Sequence, residues 1–321
     1  MTTPMQPTGA PAAWPDTYGE DAKPRVGFFT DTSICIGCKA CEVACKEWNL
    51  IPEDGRVWTG ESYDNTSALG ANSWRHVAFV EQRKPLRLAE PFPEADARAG
   101  EAGSAGAQPA EVGVADLRWL MASDVCKHCT HAGCLDVCPT GALFRTEFGT
   151  VVVQEDVCNG CGYCVPTCPF GVLDKRDLAR SPDDAPLALP LFGKKEDGRV
   201  WKCTLCYDRL KGGLEPACAK ACPTDSIQFD ELDELRKRAE RRLEKLRVER
   251  WNGARLYGQD AGDGVGGFGA FFLLLDEPEV YGLPPDPVVP TAHLPKLWRT
   301  TALAAAGLLA GIAAAFVGGR E

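Results

Sequence analysis

A run of four cysteines near the middle of this chain constrains its structure more than any other feature. Residues 158–169 read CNGCGYCVPTCP, so successive cysteines are separated by two, two and three residues, and a proline follows the last one. This is a spacing with which proteins hold a cubane [4Fe–4S] cluster on a tight loop. The first three thiolates bind one cluster, and the fourth binds a second cluster that another run holds. One run of this kind therefore predicts a second.

The sequence contains three further cysteine runs that follow a similar pattern. The four runs are Cys35, Cys38, Cys41 and Cys45; Cys126, Cys129, Cys134 and Cys138; Cys158, Cys161, Cys164 and Cys168; and Cys203, Cys206, Cys218 and Cys222. They use all sixteen cysteines of the chain and leave none over. Sixteen thiolates in four groups of four predict four [4Fe–4S] clusters as the cofactors.

The closeness of the second and third runs predicts which runs exchange their fourth ligand. Only 19 residues separate Cys138 from Cys158, and they read as strand, Gly149 turn and strand, the short hairpin of a two-cluster ferredoxin. The first and fourth runs are then left to pair with each other. The predicted ligand sets are Cys35, Cys38, Cys41 and Cys222 for cluster A; Cys203, Cys206, Cys218 and Cys45 for cluster B; Cys126, Cys129, Cys134 and Cys168 for cluster C; and Cys158, Cys161, Cys164 and Cys138 for cluster D.

Disulfide bonds and structural zinc are the alternatives for so many cysteines. Cysteines that are close together in a single loop rarely reach the geometry of a disulfide bond. Zinc sites usually combine a Cys-x-x-Cys pair with a distant partner pair, and only the run from Cys203 to Cys222 resembles that form. The spacing therefore favours iron–sulfur clusters over both alternatives.

The nested ligand sets predict an α+β fold in which one ferredoxin-like unit is inserted inside another, followed by a single transmembrane helix. The predicted divisions are a flexible N-terminal arm at 1–24, an outer ferredoxin unit at 25–51 and 195–230, a flexible insertion at 93–113, an inner ferredoxin unit at 120–180, an amphipathic helix and strand at 231–277, a proline-rich linker at 278–297 and a transmembrane helix at 298–319. Within the outer unit, residues 26–30 have a strand pattern and residues 41–48 suit a helix. Residues 74–82 alternate like a half-buried strand.

Two features follow the last cysteine run. Five apolar residues fall on one face of a predicted helix at 231–250, where charged residues fill most other positions. They are Leu232, Leu235, Ala239, Leu243 and Leu246. We expect this helix to pack on the cluster core. Residues 278–295 contain six prolines and predict a stiff, extended linker.

The C-terminal segment has the length and composition of a membrane-spanning helix. Residues 300–319 carry no charge and are bounded by Arg299 and Arg320. About twenty residues of helix cross the hydrocarbon core of a bilayer. The stretch is mostly Ala and Gly and contains the pair Gly307 and Gly311, so we expect it to pack against other membrane helices. The alternative is an alanine-rich helix of a soluble protein.

The charge of the chain limits its partners. The net charge is −10 and the isoelectric point is about 5.1, which argues against nucleic acid as a partner. Cluster assembly requires reduced thiols, so the chain is expected to fold in the cytoplasm even if it is exported afterwards.

His128 and His131 lie inside the second run and are candidates for tuning cluster C. The alternative is that both are exposed loop residues.

Segments beyond the cysteines resemble a known family. Residues 30–49 (TDTSICIGCKACEVACKEWN), 203–224 (CTLCYDRLKGGLEPACAKACPT) and 294–307 (LPKLWRTTALAAAG) are similar to the iron–sulfur β subunit of membrane-bound enzymes of the formate dehydrogenase-N type. The similarity leaves out residues 1–24 and 93–113. The cysteine pattern alone is shared with β subunits of many molybdenum oxidoreductases and with a hydrogenase-2-type subunit.

This resemblance implies an electron-transfer subunit that has no catalytic residue of its own. It implies a catalytic α subunit with a molybdenum or tungsten pterin and a cytochrome b γ subunit that reduces quinone. Clusters A and B would lie toward the α subunit, and clusters C and D toward the membrane. The resemblance also implies a location in the cell membrane, held by the C-terminal helix, with the cluster domain on the outer face.

Other functions remain open from the sequence. The protein is alternatively the β subunit of another molybdoenzyme, such as a polysulfide, dimethyl sulfoxide or nitrate reductase, or of a membrane hydrogenase, because the substrate chemistry belongs to the partner. A free-standing polyferredoxin would need no membrane segment, so the C-terminal stretch counts against it. Lys296 and Arg299 before the span outnumber Arg320 after it, and this asymmetry favours the inner face over the outer face that the resemblance implies.

Overall fold

A computed structural model of the chain describes residues 22–53, 68–83, 117–176, 198–249 and 253–318, together with the single positions 18, 60, 63, 64, 66 and 251. The predicted insertion at 93–113 and most of the predicted arm at 1–24 lie outside these residues. In the described part of the arm, the Tyr18 hydroxyl donates to the Arg145 carbonyl at 2.7 Å, and the Lys23 N–H donates to the Glu147 carbonyl at 2.9 Å. Both residues therefore lie against the hairpin between the second and third cysteine runs.

The described elements mix short strands with helices, as an α+β fold requires. The strands are β1 (Val26–Asp31), β2 (Arg75–Arg83), β3 (Leu117–Val125), β4 (Leu143–Arg145), β5 (Val151–Val153), β6 (Asp174–Lys175), β7 (Val200–Trp201), β8 (Ile227–Glu231), β9 (Arg255–Tyr257) and β10 (Ala270–Leu274). The helices are α1 (Ala40–Trp48), α2 (Gly133–Asp136), α3 (Cys164–Thr167), α4 (Tyr207–Lys211), α5 (Ala217–Lys220), α6 (Leu232–Val248) and α7 (Leu294–Gly318). Short 3₁₀ helices lie at Thr32–Ile34, Pro278–Tyr281 and Pro290–His293.

A four-stranded sheet joins the two ends of the cysteine-bearing region. Its strand order is β8–β1–β10–β9. β1 runs parallel to β10, with Phe28 opposite Ala270, and antiparallel to β8, with Phe28 opposite Phe229. Every residue of β10 is buried, which explains its continuous apolar sequence AFFLL. The strand predicted at 26–30 is thus held by strands that lie beyond the last cysteine run.

Helix α6 covers one face of this sheet, and its predicted apolar face is confirmed. The buried residues of the helix are the five expected ones: Leu232, Leu235, Ala239, Leu243 and Leu246. They share a core with Phe29 and Phe271, whereas Phe28 packs on the other side with several cysteines. Because successive side chains of a strand alternate between faces, β1 connects the helical layer to the cysteine layer.

A buried ion pair ties α6 to the start of the first cysteine run. Arg242 Nε donates to Asp31 Oδ2 at 2.8 Å, and the Asp31 side chain is only 1% exposed. Asp31 also accepts the Ser33 backbone N–H at 2.9 Å and caps the turn Thr32–Ile34. The capped turn fixes the direction in which the chain enters Cys35.

The hairpin of β2 and β3 connects the first cysteine run to the second. Its nine paired positions run from Arg75 opposite Val125 to Arg83 opposite Leu117. β2 confirms the strand predicted at 74–82, whereas the sequence analysis predicts nothing for its partner β3. β3 ends immediately before Cys126, so the base of the hairpin lies beside the cysteine loops.

The predicted hairpin between the second and third runs is present but short. β4 and β5 pair over three positions, from Leu143 opposite Val153 to Arg145 opposite Val151. Gly149 closes the turn with a φ of 74°, and a Cβ at this position would lie 2.7 Å from Arg25 Cγ. Glycine is the residue that accepts this dihedral and this close approach without strain.

The extended conformation predicted for residues 278–295 is wrong. The chain instead forms two 3₁₀ helices, each with a proline in its first turn, and α7 begins at Leu294. A proline at the start of a helix presets φ for a helical turn, so its presence does not require an extended chain. Three side chains of this segment belong to the apolar core: Tyr281, Leu283 and Val289. The segment is therefore part of the folded body.

Helix α7 is long and apolar enough to cross a membrane. Its candidate span is Lys296–Ala315, with a mean hydropathy of 1.4, which overlaps the helix predicted at 298–319. None of this span is buried against the rest of the described protein. The exposed side chains include Leu303 and Leu308, which are 73% and 68% exposed. The apolar surface of α7 is thus not covered by the described part of the chain.

Candidate iron–sulfur centres

Group A is a set of cysteines that lines a cavity between the first run and the fourth. Its members are Cys35, Cys38, Cys41 and Cys222. The first-run loop reaches this cavity through left-handed backbone at Gly37 and Lys39, with φ values of 64° and 59°. A Cβ at Gly37 would lie 2.6 Å from the Phe79 ring, so glycine is needed at this position for space as well as for its dihedral. Cys222 is the member that comes from the distant run.

Group B lies at the end of α1. Its members are Cys45, Cys203, Cys206 and Cys218, and all four are buried. The side-chain Nδ2 of Asn49 lies 3.7 Å from Cys45 Sγ and 3.9 Å from Cys206 Sγ. Burial raises the pKa of Cys45 well above its usual value, and Cys203, Cys206 and Cys218 add to the rise. Cys45 therefore lies among the cysteines of the fourth run.

Group C lines a second cavity, between the second and third runs. Its members are Cys126, Cys129, Cys134 and Cys168. Burial raises the pKa of Cys129, and the other three members add to the rise. The loop that carries Cys129 is anchored by backbone hydrogen bonds from Thr130 to Gly267 at 3.0 Å and from His131 to Val265 at 2.8 Å. The glycine-rich segment at 262–269 thus supports this cysteine loop.

Group D completes the arrangement. Its members are Cys138, Cys158, Cys161 and Cys164, and burial raises the pKa of Cys164 to about 11, with contributions from the other three. Gly160 has a φ of 72°, and a Cβ on it would lie 2.3 Å from the Gly198 carbonyl oxygen. The loop therefore depends on glycine where it passes close to neighbouring backbone.

The four groups follow one another in the order A, B, C and D. In each of the first three groups, burial raises the pKa of one cysteine, and a neighbouring cysteine from the next group raises that pKa further. These pairs are Cys41 with Cys218, Cys203 with Cys126, and Cys134 with Cys164. Cys38 of group A and Cys161 of group D are exposed, whereas all of group B is buried. The series is thus internal in its middle and open to the surface at both ends.

The geometry of the groups suits clusters better than single ions or disulfides. All sixteen cysteines are free, and the described residues hold no group of three or more His, Cys, Asp or Glu placed around a single metal ion. Zinc binds sulfur at about 2.3 Å and draws its ligands toward one point. A cubane instead spreads four thiolates over four irons. Because burial raises the pKa of inner thiols such as Cys45 and Cys129, cluster binding must displace their protons.

His128 is buried, so the interpretation of both histidines as exposed loop residues is wrong for this one. It is 2% exposed, and its Nδ1 accepts the backbone N–H of Val151 at 3.1 Å. Burial and the nearby charges of Lys202, Arg145 and Arg25 lower the pKa of His128 well below its usual value. The ring is therefore neutral and carries its proton on Nε2. His131 is partly buried, and both histidines line the cavity of group C.

Several buried cations lie beside the cysteine groups, and the sequence patterns identify none of them. The three most enclosed are Arg75, Lys127 and Lys202, which are 2%, 1% and 1% exposed. Lys127 pairs with Asp124, and Lys202 Nζ donates to the Cys203 carbonyl at 2.9 Å. Each lysine directly precedes or follows a cysteine in sequence, and that adjacency is a signal that could have found them. Arg75 has no such signal, because it lies within a strand far from every run.

Known relatives align with most of this chain. The formate dehydrogenase, nitrate-inducible, iron-sulfur subunit of Escherichia coli (strain K12) is 37% identical over 305 residues, which are 93% of this chain and 86% of that protein. The formate dehydrogenase iron-sulfur subunit of Haemophilus influenzae is 37% identical over 279 residues, 86% of this chain and 73% of that protein. The B subunit of the anaerobic dimethyl sulfoxide reductase of Escherichia coli is 32% identical over 215 residues, 67% of this chain and 77% of that protein.

Comparison with family models assigns the cysteine runs to known domains. Models described as "4Fe-4S dicluster domain" match residues 34–142, 117–184 and 157–227. Each match spans two neighbouring runs, and together the matches include all sixteen cysteines. The fold and the cysteine groups thus define a ferredoxin-type electron-transfer protein that carries multiple [4Fe–4S] clusters. Its relatives then fix the particular group: this protein belongs to the family of formate dehydrogenase iron–sulfur subunits, as the sequence resemblance predicts.

Proposed function

We propose that this chain is the electron-transfer subunit of a respiratory formate dehydrogenase. Electrons pass from a catalytic subunit with a molybdenum or tungsten pterin, through four [4Fe–4S] clusters, to a cytochrome b subunit and quinone. The observation that carries the proposal is the series of cysteine groups, which is exposed at Cys38 and Cys161 and fully buried at group B. Transfer between two partners requires a row of redox centres that reaches the surface at both ends.

The proposed cluster ligands are the cysteine groups A to D. Each cluster takes three thiolates from one run and the fourth from the paired run, so an outer unit at 25–51 and 195–230 encloses an inner unit at 120–180. The positions of Cys45 and Cys168 support this scheme, because each lies with the cysteines of the other run of its pair. When bound, the clusters supply reversible one-electron chemistry. This chain supplies the thiolates, the buried surroundings and the nearby charges that set each potential.

The start of α7 indicates which end of the series faces the membrane. Thr291 Oγ1 donates to Asp136 Oδ2 at 2.6 Å, and Val289 lies against Gly133. Both contacts bring the start of α7 beside α2, the short helix that carries Cys134 of group C and is followed by Cys138 of group D. We therefore assign the group D end to the cytochrome b subunit and the group A end to the catalytic subunit.

The proposed location is the cell membrane, with α7 as a single span and the cluster domain on the outer face. The exposed apolar surface of Lys296–Ala315 supports the span. The outer face is inferred from the family, against the excess of positive charge at Lys296 and Arg299. Protease treatment of intact spheroplasts tests the side: the cluster domain is degraded if it faces outward and survives if it faces the cytoplasm.

Purification of the intact complex from native membranes tests the function. We expect molybdenum or tungsten, haem, and about sixteen irons and sixteen sulfides per copy of this chain. Formate should reduce the clusters when quinone is absent. A clear zinc stoichiometry with little iron would rule out the clusters. A catalytic partner that reduces dimethyl sulfoxide and does not oxidise formate would keep the clusters but rule out this substrate.

A further inference from the structure

Arg75 is a buried cation at the base of the β2–β3 hairpin. It is the first residue of β2, is 2% exposed, and its guanidinium carbon lies 4.9 Å from the centre of the Phe28 ring. Phe28 belongs to the face of the sheet that packs with the cysteines of groups A and B. The hairpin therefore delivers a permanent positive charge into the interior of the cysteine layer.

One side of Arg75 is connected to group A through Ser123. Arg75 Nη1 donates to Ser123 Oγ at 2.9 Å, and Ser123 Oγ lies 3.2 Å from Cys41 Sγ. Since the serine oxygen accepts from the guanidinium, its own proton is free to point to sulfur. A cysteine that ligates iron is a thiolate and can only accept. The order of donation is therefore Arg75 to Ser123 to Cys41.

The other side of Arg75 faces group B. Cys45, Cys203 and Cys218 of this group belong to the same buried cluster as Phe28, on whose ring the Arg75 guanidinium packs. Cys41 of group A belongs to that cluster too. The guanidinium therefore lies in the layer that holds cysteines of both groups.

Two donors of Arg75, Nε and Nη2, are buried and make no hydrogen bond of normal geometry among the described residues. The Cys218 side chain is the group near enough to interact with this guanidinium from the group B side. A buried charged donor without an acceptor loses its hydrogen bonds to water and gains none in return, so such groups normally have partners. If clusters occupy groups A and B, their sulfurs lie on the two sides of this guanidinium and are the acceptors that it lacks.

We propose that Arg75 is a shared positioning residue for clusters A and B, raising both reduction potentials by its charge and by N–H···S hydrogen bonds. The inference rests on the proposed ligation of these two clusters. Adding an electron to either cluster adds one negative charge to a site from which water is excluded. A fixed cation beside the cluster stabilises the reduced form, and weak screening makes the effect large. Because one charge serves both clusters, removing it changes both together.

EPR-monitored redox titration of the purified complex tests this proposal. In Arg75→Gln, we expect the ratio of reduced to oxidised cluster at a given potential to fall at least tenfold for both A and B, a shift of about 59 mV or more to lower potential. Clusters C and D should shift by much less. Arg75→Lys keeps the charge and should shift A and B less than Arg75→Gln does. Arg118→Gln is the matched control, because Arg118 lies in the same hairpin but pairs with Asp276.

Ser123→Ala separates the effect of Arg75 on cluster A from its effect on cluster B. It removes the hydrogen bond to Cys41 and leaves Arg75 in place, so we expect the potential of cluster A to fall while that of cluster B stays within error. The proposal is overturned if Arg75→Gln retains full iron and leaves both potentials unchanged, or if one cluster alone responds. If Arg75→Gln loses iron, Arg75→Lys and Ser123→Ala decide the matter in folded protein. Absence of iron from the wild-type complex would instead refute the proposed function.

Discussion

Replacing Cys45 with serine should damage a cluster whose other ligands lie in the fourth cysteine run. Cys45 is nearest in sequence to Cys41, but the cysteine spacing assigns it to cluster B with the fourth run. The structure supports this assignment, because Asn49 Nδ2 lies 3.7 Å from Cys45 Sγ and 3.9 Å from Cys206 Sγ. The two sulfurs are close enough to share one cluster. We therefore expect Cys45→Ser and Cys206→Ser to perturb the same spectroscopic signal.

The size of the change follows from the number of ligands. One thiolate of sixteen is lost, and serine oxygen is a poorer ligand for iron than sulfur. A cubane that loses one corner becomes a three-iron cluster, so the iron content should fall from about sixteen to about fifteen per chain. The helix itself should persist, because Asn49 donates to the Cys45 backbone carbonyl at 2.8 Å and this bond does not involve sulfur.

EPR spectra of three variants, each with its iron content, decide the prediction. Cys45→Ser and Cys206→Ser should each produce a three-iron signal and remove the same [4Fe–4S] signal. Cys38→Ser should remove a different one, because Cys38 lies in group A. A match between Cys45→Ser and Cys38→Ser would refute the exchange of ligands between the first and fourth runs, and the nested fold with it.

Three further outcomes are expected. Deleting residues 296–321 should release the protein from membranes and weaken its hold on the cytochrome subunit while about sixteen irons remain; unchanged membrane binding and quinone reduction would contradict this role of α7. Leu235→Ala opens a cavity in a site that is 0% exposed, so the free energy of unfolding measured with denaturant should fall by about 2–5 kcal/mol, whereas exposed Glu234→Ala should change little. Gly160→Ala should disrupt the cluster D signal, because its Cβ would lie 2.3 Å from a carbonyl oxygen; Gly171→Ala has a similar φ of 61° with open space and should keep all four signals.

Local patterns in the sequence predict those elements whose buried residues are close together or regularly spaced along the chain. Leu232 and Leu235 begin a stripe that recurs every three or four residues, and the buried face of α6 follows it. The cysteine groups are also readable, because the chemistry of a cubane dictates short and regular gaps between its ligands. In both cases the residues that act together are close in sequence or obey a fixed spacing.

Contacts between distant segments leave no such pattern. Nothing in residues 26–30 indicates that β10 is their parallel partner, since pairing depends on which strands the whole fold brings together. Arg75 reads as one polar position of an alternating strand, although its side chain ends between two cysteine groups. The linker at 278–297 is predicted wrongly because its prolines dominate the composition. The few apolar residues between them pack into the core, and this packing determines the conformation of the segment.

The pairing of β1 with β8 and β10 also determines the order in which segments can fold during synthesis. A ribosome releases residues 26–31 long before either partner strand has been made, so the first strand and the first cysteine run have to wait. The members of groups C and D all lie between residues 126 and 168, and they are complete while the fourth run is still untranslated. Helix α7 follows every cysteine. The order of the segments therefore allows the inner pair of groups to form first and the membrane segment to emerge last.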